Sequence, residues 1–332
     1  MNGSLKSALR SEAFVLFIVV LLGLTTLSIF TSQFLVVFNI YVLLYNIALA
    51  AIVAYAQMVV VATGGLNLAL GATGALSGVI MGMLMEWYGM PLPVVIVAGL
   101  AAGALMGWIN GFLTVKTGIN PFIITLATAS AYTGTTMAIT NANPFYGIYD
   151  SVLSWAQART GIFPWPAVVT IAVALLLGVL FHFMTLGRQI LAVGGNRQAA
   201  ELTGVPVGRV IIRAHTISGF LAAVAGYLTM ARVEAATPTI GNDWLLPGFA
   251  AIIIGGVLLE GGRVAVVAVI FGVTILELIA NALAINRINP FWVTLLQGSL
   301  LLIAVILGQM RRASKAVGVR DLRGARLSGE TT

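Results

Sequence analysis

The chain of 332 residues contains no cysteine. That excludes a disulfide framework, a Cys-based zinc site and a cysteine nucleophile. Charge is scarce too: Asp, Glu, Lys and Arg make up 8% of the residues, against about a quarter in a soluble domain. A water-facing surface cannot be built from so few charges. The two histidines, His182 and His215, have no nearby acid pair with which to form a metal or acid–base site. They read as snorkelling residues near the ends of two spans. The lysines are Lys6, Lys116 and Lys315, and no Gly-x-x-x-x-Gly-Lys-Ser/Thr run occurs. Nothing here cradles ATP phosphates in the P-loop manner.

What is present is apolar sequence, 60% hydrophobic with a mean hydropathy of +1.04. This is the composition of an all-α integral membrane protein. A span needs about 20 apolar residues. Ten candidates occur, at roughly 13–31, 37–62, 68–87, 93–115, 120–140, 165–186, 210–231, 246–260, 264–284 and 291–310. The eighth is short and reads as broken or tilted. The charged start before the first run resembles a signal peptide, but the run is long and lacks a small-residue cleavage site, so it reads as a retained span.

The net charge of +7 is not a nucleic-acid patch, because the basic residues are not gathered with interleaved aromatics. With ten spans they sort by side instead. Lys6, Arg10, Lys116, Arg188, Arg197, Arg209, Arg213, Arg263, Arg311, Arg312, Lys315, Arg320, Arg323 and Arg326 fall on one side. Arg159, Arg232 and Arg287 fall on the other. The positive-inside rule makes the first side cytoplasmic and places both termini there. Trp87, Trp155, Trp165, Trp244 and Trp292 lie near the outer ends, as interfacial anchors do.

Glycines recur every fourth residue at Gly74, Gly78 and Gly82 and again at Gly103, Gly107 and Gly111. Each set gives a helix one smooth stripe for close packing, either within the subunit or at a seam between subunits. "INPFIITL" (119–126) and "INPFWVTL" (288–295) open the fifth and tenth spans from opposite sides. That is the pattern of an inverted repeat.

One polar island interrupts the apolar sequence, "LAVGGNRQAAELTGVPVGRV" (191–210). Asn196 is a suitable N-cap, Gln198 to Leu202 are helix formers, Gly204 suits a C′ position, and Pro206 blocks continuation. The island therefore reads as a two-turn cytoplasmic helix between a Gly194-Gly195 hinge and Val205-Pro206. Alone it is too short to be stable. Ala199 and Ala200 are expected to present a small face to a groove on another protein.

Here the chain resembles the permease subunits of bacterial ABC importers for monosaccharides, the ribose-transporter type. That family carries a "GR-x-x-x-A-x-GGN-x-x-AA-x-x-x-G" loop, matched by Gly187-Arg188, Ala192, Gly194-Gly195-Asn196, Ala199-Ala200 and Gly204. "TGGLNLALG" (63–71), "NPFIITLAT" (120–128) and "PGFAAIIIGGVLLEGG" (247–262) resemble three further family motifs in the same order. The resemblance implies a type II importer fold and makes the island a coupling helix that docks on a cytoplasmic ATPase. Arg188, Gly194, Gly195, Asn196, Ala199, Ala200, Glu201 and Gly204 then form the coupling contact. Gly64, Gly65, Asn67, Asn120 and Phe122 become candidates for the translocation pathway. It also implies a periplasmic sugar-binding protein and a second permease copy, identical or paralogous, in the bacterial inner membrane. The chain itself needs no cofactor and has no catalytic residue, with ATP and Mg held by the partner ATPase. Residues 1–332 form a single transmembrane permease domain, with a coupling loop at about 188–210 and a basic tail at about 311–332. A pentose, a hexose, an inositol or a furanosyl signal molecule are all compatible cargoes.

Two family positions differ. Asn67 stands where the family has Asp, and Pro247 replaces an acidic position. Asn67 either keeps a polar role in the pathway or caps backbone groups freed by a break in the helix. Glu277 is the one acid well inside a span, a functional position by default. It supports the rival reading, a proton-coupled secondary transporter, although no basic partner is evident in the neighbouring spans. In the outer loop 141–166, Asp150 is expected to cap a helix over 151–158 with Val152, Leu153 and Trp155 facing the membrane. Such a helix serves as a docking surface or as a lid on the bundle.

Overall fold

The computed structural model describes residues 12–289 and, beyond them, 291, 292, 294–296, 298, 299 and 302. Its helices are α1 (Glu12–Phe30), α2 (Val37–Val61), α3 (Leu70–Glu86), α4 (Leu92–Thr117), α5 (Pro121–Thr140), α6 (Asp150–Gln157), α7 (Pro166–Phe183), α8 (Thr185–Gly195), α9 (Arg197–Leu202), α10 (Val207–Val233), α11 (Leu245–Ile254) and α12 (Val266–Ile285). A two-residue hairpin, β1 (Arg159–Thr160) with β2 (Phe163–Pro164), precedes α7. Proline in the first turn starts α4, α5 and α7, where its missing N–H costs nothing. Left-handed Gly118 closes α4.

Among the described residues seven helices are long and apolar enough to cross a membrane: α1, α2, α4, α5, α7, α10 and α12. Shorter apolar helices, α3 and α11, fall on the third and eighth expected spans. The tenth expected span lies largely outside the described residues. Lys6, Arg10 and the basic tail lie wholly outside them. Two expectations need correction. The sixth span ends at Phe183, and a separate helix, α8, follows after extended Met184. The eighth span is one helix of 10 residues, with the chain from 255 to 265 forming a loop.

Two central helices organise the bundle. α10 packs against α4, α2 and α3, while α2 packs against α10, α12, α11 and α7. Each central helix thus reaches into the helix pair of the other half, α10 onto α3 and α4, α2 onto α11 and α12. Gly103, Gly107 and Gly111 face α10, as do Gly74 and Gly78, while Gly82 meets Ala236 and Phe145 beyond it. A Cβ on Gly107 would lie 2.2 Å from the His215 carbonyl oxygen, and one on Gly103 would lie 2.6 Å from that of Gly219. Gly226 of α10 is equally tight against Gly74 of α3. The stripes therefore serve packing inside the chain. This packing also corrects the expectation for His215, which is fully buried between α10 and α4 and does not sit at an interface. His182 is exposed at the end of α7.

The two motif echoes share a cap. Asn120 Oδ1 accepts from Phe122 N at 2.9 Å, and Asn289 Oδ1 accepts from Phe291 N at 3.0 Å. The first lies where α4 ends and the second just beyond the far end of α12.

At the end remote from α9, α6 is strapped down. Glu86 accepts from the backbone N–H groups of Tyr146 and Gly147 at 2.7 and 2.8 Å, and Gln157 donates to Glu234. Val152 and Ala156 are buried, and Leu153 and Trp155 pack against the same cluster. The expected membrane-facing side of this helix therefore faces the bundle. Asp150 lies in its first turn, and Tyr149 occupies the N-cap.

Candidate coupling and translocation site

α9 forms as its caps dictate. Asn196 is extended (φ −159°, ψ 104°), and its Oδ1 accepts from Ala199 N at 3.0 Å. At the other end Gly204 takes φ +80°, and Val205 N donates to the Ala200 carbonyl at 3.0 Å. This left-handed closure is the reason for glycine at that position. Glu201 pairs with Arg197 at 3.5 Å on an exposed face, a contact of little energetic weight.

The face that α9 shows is not the expected one. Ala200 is only 4% exposed and belongs to the main core with Ile190, Val193 and Val207. Ala199 faces outward beside Leu202, which is 90% exposed, the highest value among the large hydrophobic side chains of the described residues. A two-turn helix resting on one alanine and offering a bare leucine presents a knob and not a smooth face.

α8 anchors this helix to the bundle. A Cβ on Gly187 would lie 2.1 Å from the Leu180 carbonyl oxygen, so α8 folds tightly back on α7. Arg188 Nη1 donates to the Phe183 carbonyl at 3.3 Å, serving one of the last carbonyls of α7. Gly194 is a contact point and not a free hinge: a Cβ there would lie 2.0 Å from the Ala62 carbonyl oxygen and 2.4 Å from Gly262 N. Gly262 N donates to that same Ala62 carbonyl at 3.0 Å. A Cβ on Gly262 would meet Gly195 Cα at 2.7 Å, and one on Gly261 would meet Gly64 N at 2.5 Å. Three segments, the end of α2, the end of α8 and the loop after α11, thus touch backbone to backbone.

The loop after α2 holds the pathway candidates. Gly64 makes the turn at φ +81°, while Gly65 is buried against Val60 and Pro121. The steric demand for glycine in this turn therefore falls on Gly64. Asn67 is buried, donates from Nδ2 to Ser218 Oγ of α10 at 3.0 Å, and accepts from Ala69 N at Oδ1 at 3.0 Å. It caps the freed backbone of the break and ties it to α10. Leu68 N donates to Thr125 Oγ1 at 3.1 Å, which joins the loop to α5. Asn120 caps α5 and Phe122 is exposed beside it. The structure therefore brings Gly64, Gly65, Asn67 and Asn120 to the end of the bundle that carries α9. Thr125, Leu202, Gly261 and Gly262 were missing from the expected set. Thr125 and the Gly261-Gly262 pair sit inside quoted motifs, and Leu202 is the only large apolar side chain of its helix.

Glu277 does have a basic neighbour. Arg232, at the end of α10, lines the same cavity and acts on it electrostatically. Arg232 is itself fixed by a hydrogen bond to Asn46 Oδ1 and by the Tyr45 ring, 4.7 Å from the guanidinium. The sequence hid this pair because Arg232 and Glu277 meet only through the packing of α10 and α12 around α2.

A family model described as "Branched-chain amino acid transport system / permease component" matches residues 36–305. The ribose import permease protein RbsC of Bacillus subtilis is 34% identical over 302 residues, covering 90% of this chain and 92% of its own length. The fructose import permease protein FrcC of Rhizobium meliloti is 33% identical, covering 91% and 86%. The D-allose transport system permease protein AlsC of Escherichia coli is 34% identical, covering 85% and 87%. No solved structure matches.

Proposed function

Because the chain belongs to this family of transport-system permease components, we propose that it is the membrane subunit of an ATP-driven importer that moves a monosaccharide or similar polyol by alternating access. Three relatives named for sugar import support the cargo class. On this reading the chain crosses the bacterial inner membrane ten times as an inverted repeat, with α9 in the cytoplasm. Lys116, Arg188, Arg197, Arg209, Arg213 and Arg263 gather at the α9 end, while Arg159, Arg232 and Arg287 lie at the other. That distribution fits a cytoplasmic α9 end.

The observation that carries the reading is α9 itself. A capped helix with a bare Leu202, seated by Gly194 against both glycine loops, is built to be pushed. A cytoplasmic ATPase holding ATP and Mg would grip Leu202. Its movement would reach the loop after α2 and the loop after α11 through the Gly194 contact. A periplasmic binding protein would deliver cargo to the opposite end. A second permease copy would cover α5, which packs within the chain mainly on α3 and α4.

Leu202→Asp tests this. Burying a leucine contributes about 1.5–3 kcal/mol, so its loss should reduce ATPase co-purification at least about tenfold while the permease still inserts. Uptake by the wild-type importer should persist when a protonophore is added and ATP is maintained. Full co-purification with Leu202→Asp moves the ATPase contact elsewhere, and uptake that collapses with the proton gradient makes the chain a proton-coupled carrier.

A further inference from the structure

A cavity of about 530 Å³ lies between α2, α10, α11 and α12, with Thr294 from the segment after α12 also in its lining, on the side away from α9. It shares no residue with the glycine junction. A larger hollow of about 620 Å³, between α2, α7 and α12, is walled almost wholly by apolar side chains. The smaller one is different. Asn46, Thr229, Arg232, Asp243, Trp244 and Glu277 line it.

Arg232 and Glu277 are partly buried in the wall of a bundle, where a charge is costly unless it has work or a partner, while Asp243 is exposed at the cavity's edge. Arg232 and Asp243 each act electrostatically on Glu277. Yet no salt bridge within 4.0 Å joins any of the three to another. The hydrogen bond to Asn46 and the Tyr45 ring hold the guanidinium in place. The charges thus face a hollow across which they do not close.

The lining selects a chemical class. A guanidinium in the set opposes a bare cation, and two carboxylates oppose an anion. A neutral molecule with several hydroxyls suits both, since carboxylates accept from hydroxyls and the guanidinium donates to ring and hydroxyl oxygens. Trp244 adds a flat apolar wall for a C–H face. Its six-membered ring is braced by α3, where a Cβ on Gly74 would lie 2.4 Å from it. The volume falls within the range of small-molecule sites.

We propose that this cavity binds a neutral polyhydroxylated molecule of monosaccharide size within a single copy of the chain, on the side away from the coupling helix. Glu277 and Asp243 accept from its hydroxyls, Arg232 donates to it, and Trp244 stacks against it. The proposal rests on the import reading and adds a resting place for cargo.

The full-length chain in lipid nanodiscs, without ATPase or binding protein, is titrated with D-ribose, D-fructose, D-allose and myo-inositol. Melting temperature and tryptophan fluorescence are followed, with sucrose as the osmolyte control and choline chloride replacing sodium chloride. At least one of these compounds should give a saturable shift. Glu277→Gln and Asp243→Asn should each weaken it at least tenfold, and Ser154→Ala on the exposed face of α6 should not. The absence of any saturable shift overturns the proposal, as does one retained in both carboxylate variants. A shift produced by sodium alone and lost in Glu277→Gln makes the cavity a cation site and also overturns it. Uptake by the reconstituted importer separates the two readings. Chain-dependent uptake of a sugar that does not bind in the nanodisc leaves the import reading standing and removes only the cavity site. If no chain-dependent uptake of any of these compounds occurs, the import reading itself fails.

Discussion

Asn67 stands where the resembling family has a carboxylate, and its surroundings say what the amide does. Oδ1 accepts from Ala69 N and Nδ2 donates to Ser218 Oγ. An aspartate keeps the first bond and can accept from the serine hydroxyl in the second. Asn67→Asp should therefore assemble and transport like the wild type. Asn67→Leu leaves a buried N–H and a buried hydroxyl without their partner, at about 1–3 kcal/mol each. It should lower the melting temperature in detergent and reduce uptake. If Asn67→Leu melts like the wild type, the capping role is wrong. The cap at Asn196 and the C′ glycine at Gly204 were legible in the sequence because each is a local rule about backbone groups. The direction of Ala200 was not. Which way a two-turn helix faces depends on where α8 and α10 hold it, and no local pattern in 196–204 encodes that.

Helices were legible for the same reason in reverse. Long apolar runs need no partner to be recognised, so a helix lies within each of the first nine expected spans, seven of them long enough to cross a membrane. Their ends were harder. α8 escaped notice because a three-turn helix with Gly187, Ile190 and Val193 buried looks like the tail of the span before it. The glycine stripes were visible, but their partner, α10, was not. The packing now distinguishes two glycines on neighbouring helices. A Cβ on Gly107 of α4 would meet a backbone oxygen of α10 at 2.2 Å, whereas one on Gly134 of α5 meets nothing within 4 Å. Backbone cannot give way as a side-chain tip does. Gly107→Val should abolish the monodisperse peak in detergent size exclusion, and Gly134→Val should preserve it. A folded Gly107→Val protein would mean that α4 and α10 are not clamped as described.

At the scale of the molecule, the two ends of the bundle differ in charge and in construction. The α9 end is basic and joined by glycine backbone, while the other is fastened by side chains, with Glu86 holding the loop before α6 and Glu234 holding Gln157. A chain without native cysteine makes the orientation directly measurable. Gln198→Cys should react with an impermeant maleimide only when the cytoplasmic face is opened, and Asn143→Cys should react from outside. The reverse pattern would invert the assignment and remove α9 from the reach of any cytoplasmic ATPase.

The hydrogen bond from Gly262 N to the Ala62 carbonyl joins residues 200 positions apart in the chain. At translation rates of about 5–20 residues per second, the second residue leaves the ribosome roughly 10–40 s after the first. During that interval the end of α2 is already synthesised, yet its carbonyl has no Gly262 and its turn has no Gly261 to lie against. The first half of the protein is thus synthesised as an open form whose closure depends on the arrival of the second. A nascent chain stalled before residue 255 should expose this break to membrane proteases, while one stalled late enough for α12 to have left the ribosome should be protected. The ends of these two glycine loops would then set the order in which the newborn molecule becomes safe from degradation.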